Sequence, residues 1–93
     1  MRIQGFLWLE EIEEKLFHKH SVSTDEVEEV FVNQPHYRFI SKGRRNRSEN
    51  VYAAYGQTNG SRYLVIFFIH KSDGRALIIS GRDMDRKERR RYG

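Results

Sequence analysis

VYAAYGQTNGSRYLVIFFI, residues 51–69, is the stretch whose reading decides the fold. Val51 to Gln57 and Tyr63 to Ile69 are rich in β-branched and aromatic residues, and Asn59-Gly60 between them is the pair that supplies the positive φ angles of a tight primed turn. The stretch therefore predicts a β-hairpin. Its second arm is apolar on both faces, which places it in the middle of a sheet. Downstream, Asp73-Gly74 marks another tight turn, and Arg75 to Ser80 returns as a further strand, completing a three-stranded meander. Upstream, Tyr37-Arg38-Phe39-Ile40 reads as a short strand at an edge. About four antiparallel strands are expected.

The sequence before this sheet has a helical period. Leu9, Ile12 and Leu16 line one side of the segment Trp8 to His18, with Glu10, Glu11, Glu13 and Glu14 on its other faces. Ser23-Thr24-Asp25-Glu26 is a capping box, in which the Ser23 hydroxyl accepts from the Glu26 amide while the glutamate reaches back to the Ser23 amide. It starts a second helix with Val27, Val30 and Phe31 on its apolar side. Pro35 stops it, because proline disfavours helical geometry in the residue before it. Lys42 to Glu49 has no apolar residue and predicts an exposed loop, and Asp83 to Tyr92 is a short basic helix with only Met84 and Tyr92 to pack. The expectation is an α+β fold: two N-terminal helices on an antiparallel sheet, with a basic helix at the end.

At 93 residues the chain has room for one domain, 1–93, and shows no internal repeat. It has no cysteine, so neither a disulfide framework nor a thiolate metal site is available, in keeping with a reducing cytoplasm. No signal-peptide pattern opens it, and the apolar run Leu64 to Ile69 is too short to cross a bilayer, so a cytoplasmic protein with no membrane contact is expected. The net charge of +4 conceals a division. Residues 1–31 hold three Lys/Arg against eight Asp/Glu, and the rest holds 14 against five. Positive potential is thus concentrated where a phosphate backbone could bind, while the acidic part can repel it or dock on a basic partner.

The four histidines, His18, His20, His36 and His70, form no metal-ligand spacing, and neither a glycine-rich phosphate loop nor a serine nucleophile elbow is present. No metal and no cofactor are expected. What remains is an arginine-rich constellation: Arg38, Arg44, Arg45, Arg47, Arg62, Arg75, Arg82, Arg86, Arg89, Arg90 and Arg91, interleaved with Tyr37, Tyr52, Tyr55, Tyr63 and Tyr92. Arginine's planar fork holds a phosphate through two hydrogen bonds and stacks on bases, which favours nucleic acid. The other reading, that these charges only keep exposed faces solvated, stays open. Composition alone reaches as far as polyanion binding.

Several strings taken in order go further. Lys19-His20-Ser21-Val22-Ser23, Glu28-Glu29-Val30-Phe31, Tyr55-Gly56-Gln57-Thr58, and Ile78-Ile79-Ser80-Gly81-Arg82-Asp83-Met84 with Glu88-Arg89 and Tyr92 resemble the BrnT family of toxins over nearly the whole chain. The resemblance implies a RelE-like ribonuclease fold with a basic concave face for RNA, and metal-independent cleavage that inhibits translation. It also implies a BrnA-like antitoxin whose ribbon-helix-helix domain binds operator DNA, so that DNA is contacted only through the antitoxin. Under this resemblance His20 is the acid or base, Arg82 the phosphate stabiliser, Arg89 a second cation, Tyr92 an RNA contact or acid, and Glu49 a further base candidate. Glu88 would orient an arginine. Arg38, Arg44, Arg45, Arg62, Arg75 and Arg86 are the expected RNA-binding residues. Three positions depart from the family pattern: Leu9 where an Asp is common, Val51 where an arginine is common, and Gly81 for the usual Ala. The change at Val51 keeps open a non-cutting member that binds RNA, DNA or the antitoxin, and the acidic helices keep open an interaction module that docks on a basic partner. The RNase reading carries one geometric expectation, that the cationic side chains between positions 38 and 91 gather on one concave patch around His20.

Overall fold

The computed structural model describes residues 1–43 and 49–93. Along the chain come β1 (Gly5–Leu7), α1 (Glu10–His20), α2 (Thr24–Val32), β2 (His36–Ser41), β3 (Val51–Gln57), β4 (Tyr63–His70), β5 (Arg75–Asp83) and α3 (Arg86–Tyr92). The class is α+β, as the residue pattern requires. The sheet has five strands in the order β1-β5-β4-β3-β2, one more than expected. The extra strand is β1, three residues paired in parallel with Arg75 to Leu77 of β5. A strand that short carries no periodic signal of its own; pairing with β5 is what makes it extended. The other pairings are antiparallel, so β4 is central and β2 lies at an edge.

Strand alternation gives the sheet two unequal faces. On one, Leu64, Ile66 and Phe68 of β4, with Ala54, Ala76 and Ile78, meet Leu16 of α1, Val22 of the interhelical turn, and Val27, Val30 and Phe31 of α2. Phe68, Leu64 and Ile66 are inaccessible to solvent, and burying each such side chain contributes about 1.5–3 kcal/mol. On the other face a smaller cluster forms from Ala53, Tyr55, Val65 and Met84, with Tyr63, Phe67 and Tyr92 against it. This is the face that α3 covers.

The helix ends follow local chemistry. The Ser23 capping box forms as the sequence requires, with Glu26 N–H donating to Ser23 Oγ (3.1 Å) and Ser23 N–H to Glu26 Oε1 (3.1 Å). A second capping box, Asp85 with Glu88, starts α3. The N-cap of α1 is Leu9, whose side chain offers no acceptor.

The β3–β4 connection differs from the tight primed turn that Asn59-Gly60 suggested. The strands end at Gln57 and resume at Tyr63. Ser61 N–H donates to the Thr58 carbonyl (3.0 Å), and the residue with positive φ is Ser61, at 68°. Asn59 is instead drawn toward α2: its amide donates to Glu29 Oε1 (3.0 Å), and its Oδ1 accepts from Asn33 Nδ2 (2.9 Å). At the β4–β5 turn the expected chemistry holds, with Gly74 at φ +89°.

Candidate functional site

Residues 80–83 of β5 divide the charged side chains between the faces. Ser80 and Arg82 pair with Phe67 and Val65, whereas Gly81 and Asp83 pair with Ile66 and Leu64. Arg82 therefore points to the α3 side and Asp83 to the helix-layer side. The two neighbours take part in separate ionic constellations.

Arg82 meets Glu88 of α3 end-on, its Nη1 donating to Oε1 at 2.6 Å and its Nη2 to Oε2 at 3.0 Å. Nη1 also donates to the Asp83 carbonyl (3.2 Å). A guanidinium carries five N–H donors. Three are thus used, and the side-on edge formed by Nε–H and the second Nη2–H keeps no partner among the described residues. Glu88 accepts three hydrogen bonds in all, because its Oε1 additionally accepts from Asp85 N–H (2.9 Å). The hydrogen bonds from Arg82 hold the Glu88 carboxyl below the ordinary carboxylate range, with the Asp85 amide adding to the effect. Its two oxygens are occupied and its proton is held off, so Glu88 aims Arg82 and is poorly suited to act as a base.

Around Arg82 the sheet brings a set of aromatic and basic groups. Tyr92, from the end of α3, stacks on Tyr55 with ring centres 4.0 Å apart and planes 14° from parallel. His36 of β2 is the register partner of Tyr55, and its ring lies 5.8 Å from that of Tyr92. Arg38, two residues on in the same strand, shares this face. The Tyr55 phenol is pushed up by burial first, then by the Glu88 carboxylate and Tyr92, against the opposing pull of Arg38 and Arg82. All four groups are thus within electrostatic reach of one hydroxyl. Held protonated at neutral pH, that hydroxyl can only donate to an anion.

The other expected site residues lie elsewhere, which corrects the single patch around His20. His20 ends α1, on the opposite side of the sheet from Arg82. Its carbonyl accepts from Arg62 Nη2 (2.7 Å). Arg62 itself is a clamp. Nε and Nη2 grip Asp83 side-on at 2.7 and 3.0 Å, and Nη1 donates to the Ser21 carbonyl (2.7 Å) and to Glu26 Oε2 (3.4 Å). Those acceptors use up its donors, leaving nothing for RNA. Glu49 is ion-paired with Lys71, and Arg75 with Asp73 at 2.8 Å. Both pairs sit at the far end of the sheet, about 20 Å from Tyr55 and Arg82 at the rise of an extended strand. Arg89 lies over the Tyr63 ring at 4.4 Å, on the α3 face but toward the β3–β4 loop. Arg86 lines a shallow groove with Met84, Arg89 and Arg90. Arg44 and Arg45 fall outside the described residues.

Two members of the cluster, His36 and Tyr55, were not among the expected site residues. Alternation put His36 and Arg38 on one face of β2, which was a usable signal. The register that sets His36 opposite Tyr55, in one row across the sheet with Val65 and Arg82, was not available from spacing. Among the described residues no three His, Asp or Glu converge as metal ligands.

A family model described as ribonuclease toxin, BrnT, of type II toxin-antitoxin system matches residues 8–88. The search of curated proteins found no match.

Proposed function

We propose that this chain, which belongs to the BrnT family of ribonuclease toxins of type II toxin-antitoxin systems, cuts RNA without a metal ion where Arg82, Arg38, Tyr55, Tyr92 and His36 meet. The observation that carries the reading is Arg82. Its end is locked by Glu88 while its side-on edge keeps no hydrogen-bond partner among the described residues, in a setting of aromatic rings and a second arginine. A side-on guanidinium matches two phosphate oxygens, and the stacked tyrosines offer a platform on which a base can lie.

Without a metal, the nucleophile is the ribose 2′-hydroxyl. It attacks the adjacent phosphorus and gives up its proton to a base. The bond to the 5′ oxygen breaks, and that oxygen takes a proton from an acid, leaving a 2′,3′-cyclic phosphate and a 5′-hydroxyl. Arg82 and Arg38 balance the charge that builds on the phosphorane oxygens. We assign proton transfer to His36 and Tyr92, the imidazole and phenol at the Tyr55 end of this face. His20, which the family resemblance offered for this role, ends α1 on the helix-layer side of β5, where its carbonyl accepts from Arg62. Glu88 is a positioning residue.

The rest of the reading follows the family. We take residues 1–93 as one toxin domain of RelE type acting in the cytoplasm, where RNA cleavage stops translation. A protein antitoxin belongs to any type II system; here it is proposed to be BrnA-like, with a ribbon-helix-helix domain that carries the complex to operator DNA. One observation favours a second reading, a member that binds RNA or antitoxin without cutting: the Arg82 charge is largely offset by Glu88, and Val51 stands where the family pattern has an arginine.

Purified protein incubated with RNA in excess chelator decides between them. Cleavage yielding cyclic phosphate ends is expected, reduced about 10²–10³-fold by Arg82→Ala with the fold intact, together with arrest of protein synthesis on induced expression. Intact RNA would leave only the binding reading, and cleavage abolished by chelator would remove the metal-free mechanism.

A further inference from the structure

β5 runs nine residues, from Arg75 to Asp83, but β1 covers its outer side only at Arg75, Ala76 and Leu77. Beyond Leu77 the chain of β1 turns away through Trp8 and Leu9 into α1. Among the described residues no strand borders the outer side of residues 78–83. Beside this open edge, between it and α1, lies a cavity of about 190 Å³ lined by Ile12, Lys15, Leu16, Lys19, His20, Ile79 and Ser80. Ile79 is the extra residue of a bulge, since Phe67 pairs with Ser80 and Phe68 with Ile78. The cavity thus has an aliphatic floor and a cationic rim, next to unpaired backbone.

We infer that this edge is the docking site of the antitoxin, which adds a short extended segment alongside Ser80 to Asp83 and sets carboxylate side chains over Lys15 and Lys19. The inference rests on the family reading above, which supplies a protein antitoxin, and adds where and by what chemistry it binds. The nature of the edge selects the occupant. A strand edge offers N–H donors and C=O acceptors in alternation at about 3.3 Å per residue. A peptide backbone complements that pattern, whereas a phosphate backbone only accepts, and would meet carbonyl oxygens with like charge. The rim then sets composition: an aliphatic residue for the floor of Ile12, Leu16 and Ile79, and acidic residues for the two lysines. Because Arg82 belongs to the same four-residue edge, the added strand would lie against the RNA site. Neutralisation would follow from occupying the rim of that site, with no rearrangement of the toxin.

Lysines and bulges also guard open edges against self-association, and the test separates the two roles. Lys15 and Lys19 are exposed, so Lys15→Glu/Lys19→Glu is expected to fold. Titration with the cognate antitoxin should show affinity at least tenfold weaker than wild type, with RNA cleavage unchanged. Hydrogen exchange of the wild-type complex should show new protection at residues 79–83. Wild-type affinity in the charge-reversed variant, or protection confined to other segments, would overturn the proposal while leaving the family reading intact. RNA, rather than antitoxin, protecting residues 79–83 would do the same. An antitoxin that neither binds nor neutralises the wild-type chain would remove the family reading itself.

Discussion

Arg62→Ala should unfold this protein more readily and leave its RNA chemistry alone. Four partners hold the guanidinium: the Asp83 carboxylate through two bonds, the carbonyls of His20 and Ser21, and Glu26 at a longer 3.4 Å. They join the turn between α1 and α2 to the end of β5. A hydrogen bond to a charged group is worth about 1.5–3 kcal/mol net, but shared donors are not additive, and the side chain is 27% exposed, so solvent screens part of the effect. The freed carbonyls are exposed enough to be rewetted, so no buried-group penalty is added. The balance is a loss of about 2–4 kcal/mol, a large share of the about 5–15 kcal/mol by which domains are stable. In urea, with a slope of roughly 1–2 kcal/mol per molar, the midpoint should fall by about 2 M. Arg62→Lys should recover only part, because one ammonium cannot span acceptors on two sides. Denaturation followed by circular dichroism, beside RNA cleavage below the transition, tests this. If Arg62→Ala shifted the midpoint by less than about 0.5 M and abolished RNA cleavage instead, the clamp would be the wrong description and Arg62 an RNA contact.

Other substitutions read other links of the argument. Leu9→Asp supplies the missing acceptor at the α1 N-cap from a residue already 44% exposed, and should stabilise the fold by about 1 kcal/mol in the same denaturation assay; no gain would mean that another group already serves the cap. Gly74→Ala forces a Cβ onto a backbone at φ +89° and within 3.0 Å of Gln4 Cγ, so a loss of about 1–2 kcal/mol is expected, with an unchanged melting temperature as the contrary result. Acid should weaken the fold through two carboxyls. Asp83 is held below its ordinary value chiefly by the Arg62 hydrogen bond and Glu88 by that of Arg82. Both depressions stabilise the fold above the unfolded values, near 3.9 and 4.3, and that contribution is lost as pH falls through the lower folded values. Melting curves across pH should be flat above about pH 5 and steep below about 4. Asp83→Asn with Glu88→Gln should flatten the acid limb, and a parallel limb in that double variant would assign acid sensitivity to other groups.

The parts of this protein legible in its sequence are those set by contacts a few residues apart. The Ser23 capping box, the stop at Pro35, the apolar stripes of α1 and α2, and the central β4 with no polar face each follow from spacing or local hydrogen bonding. So does the family, carried by strings such as Ile78 to Met84. Even locally there was a limit, since Asn59 spends its hydrogen bonds on α2 and leaves the positive φ to Ser61.

The site required the fold. Arg82 and Asp83 are adjacent in sequence, yet strand alternation sends one to Glu88 and the other to Arg62. His36 and Tyr55 lie far apart along the chain and meet through antiparallel register. An arginine's type predicts that it can hold a phosphate. Only its neighbours in space decide whether its donors are already taken, as at Arg62, or keep no partner among the described residues, as on the side-on edge of Arg82. Charge acts at short range through three dimensions, and the pairing of distant strands is what sets those distances.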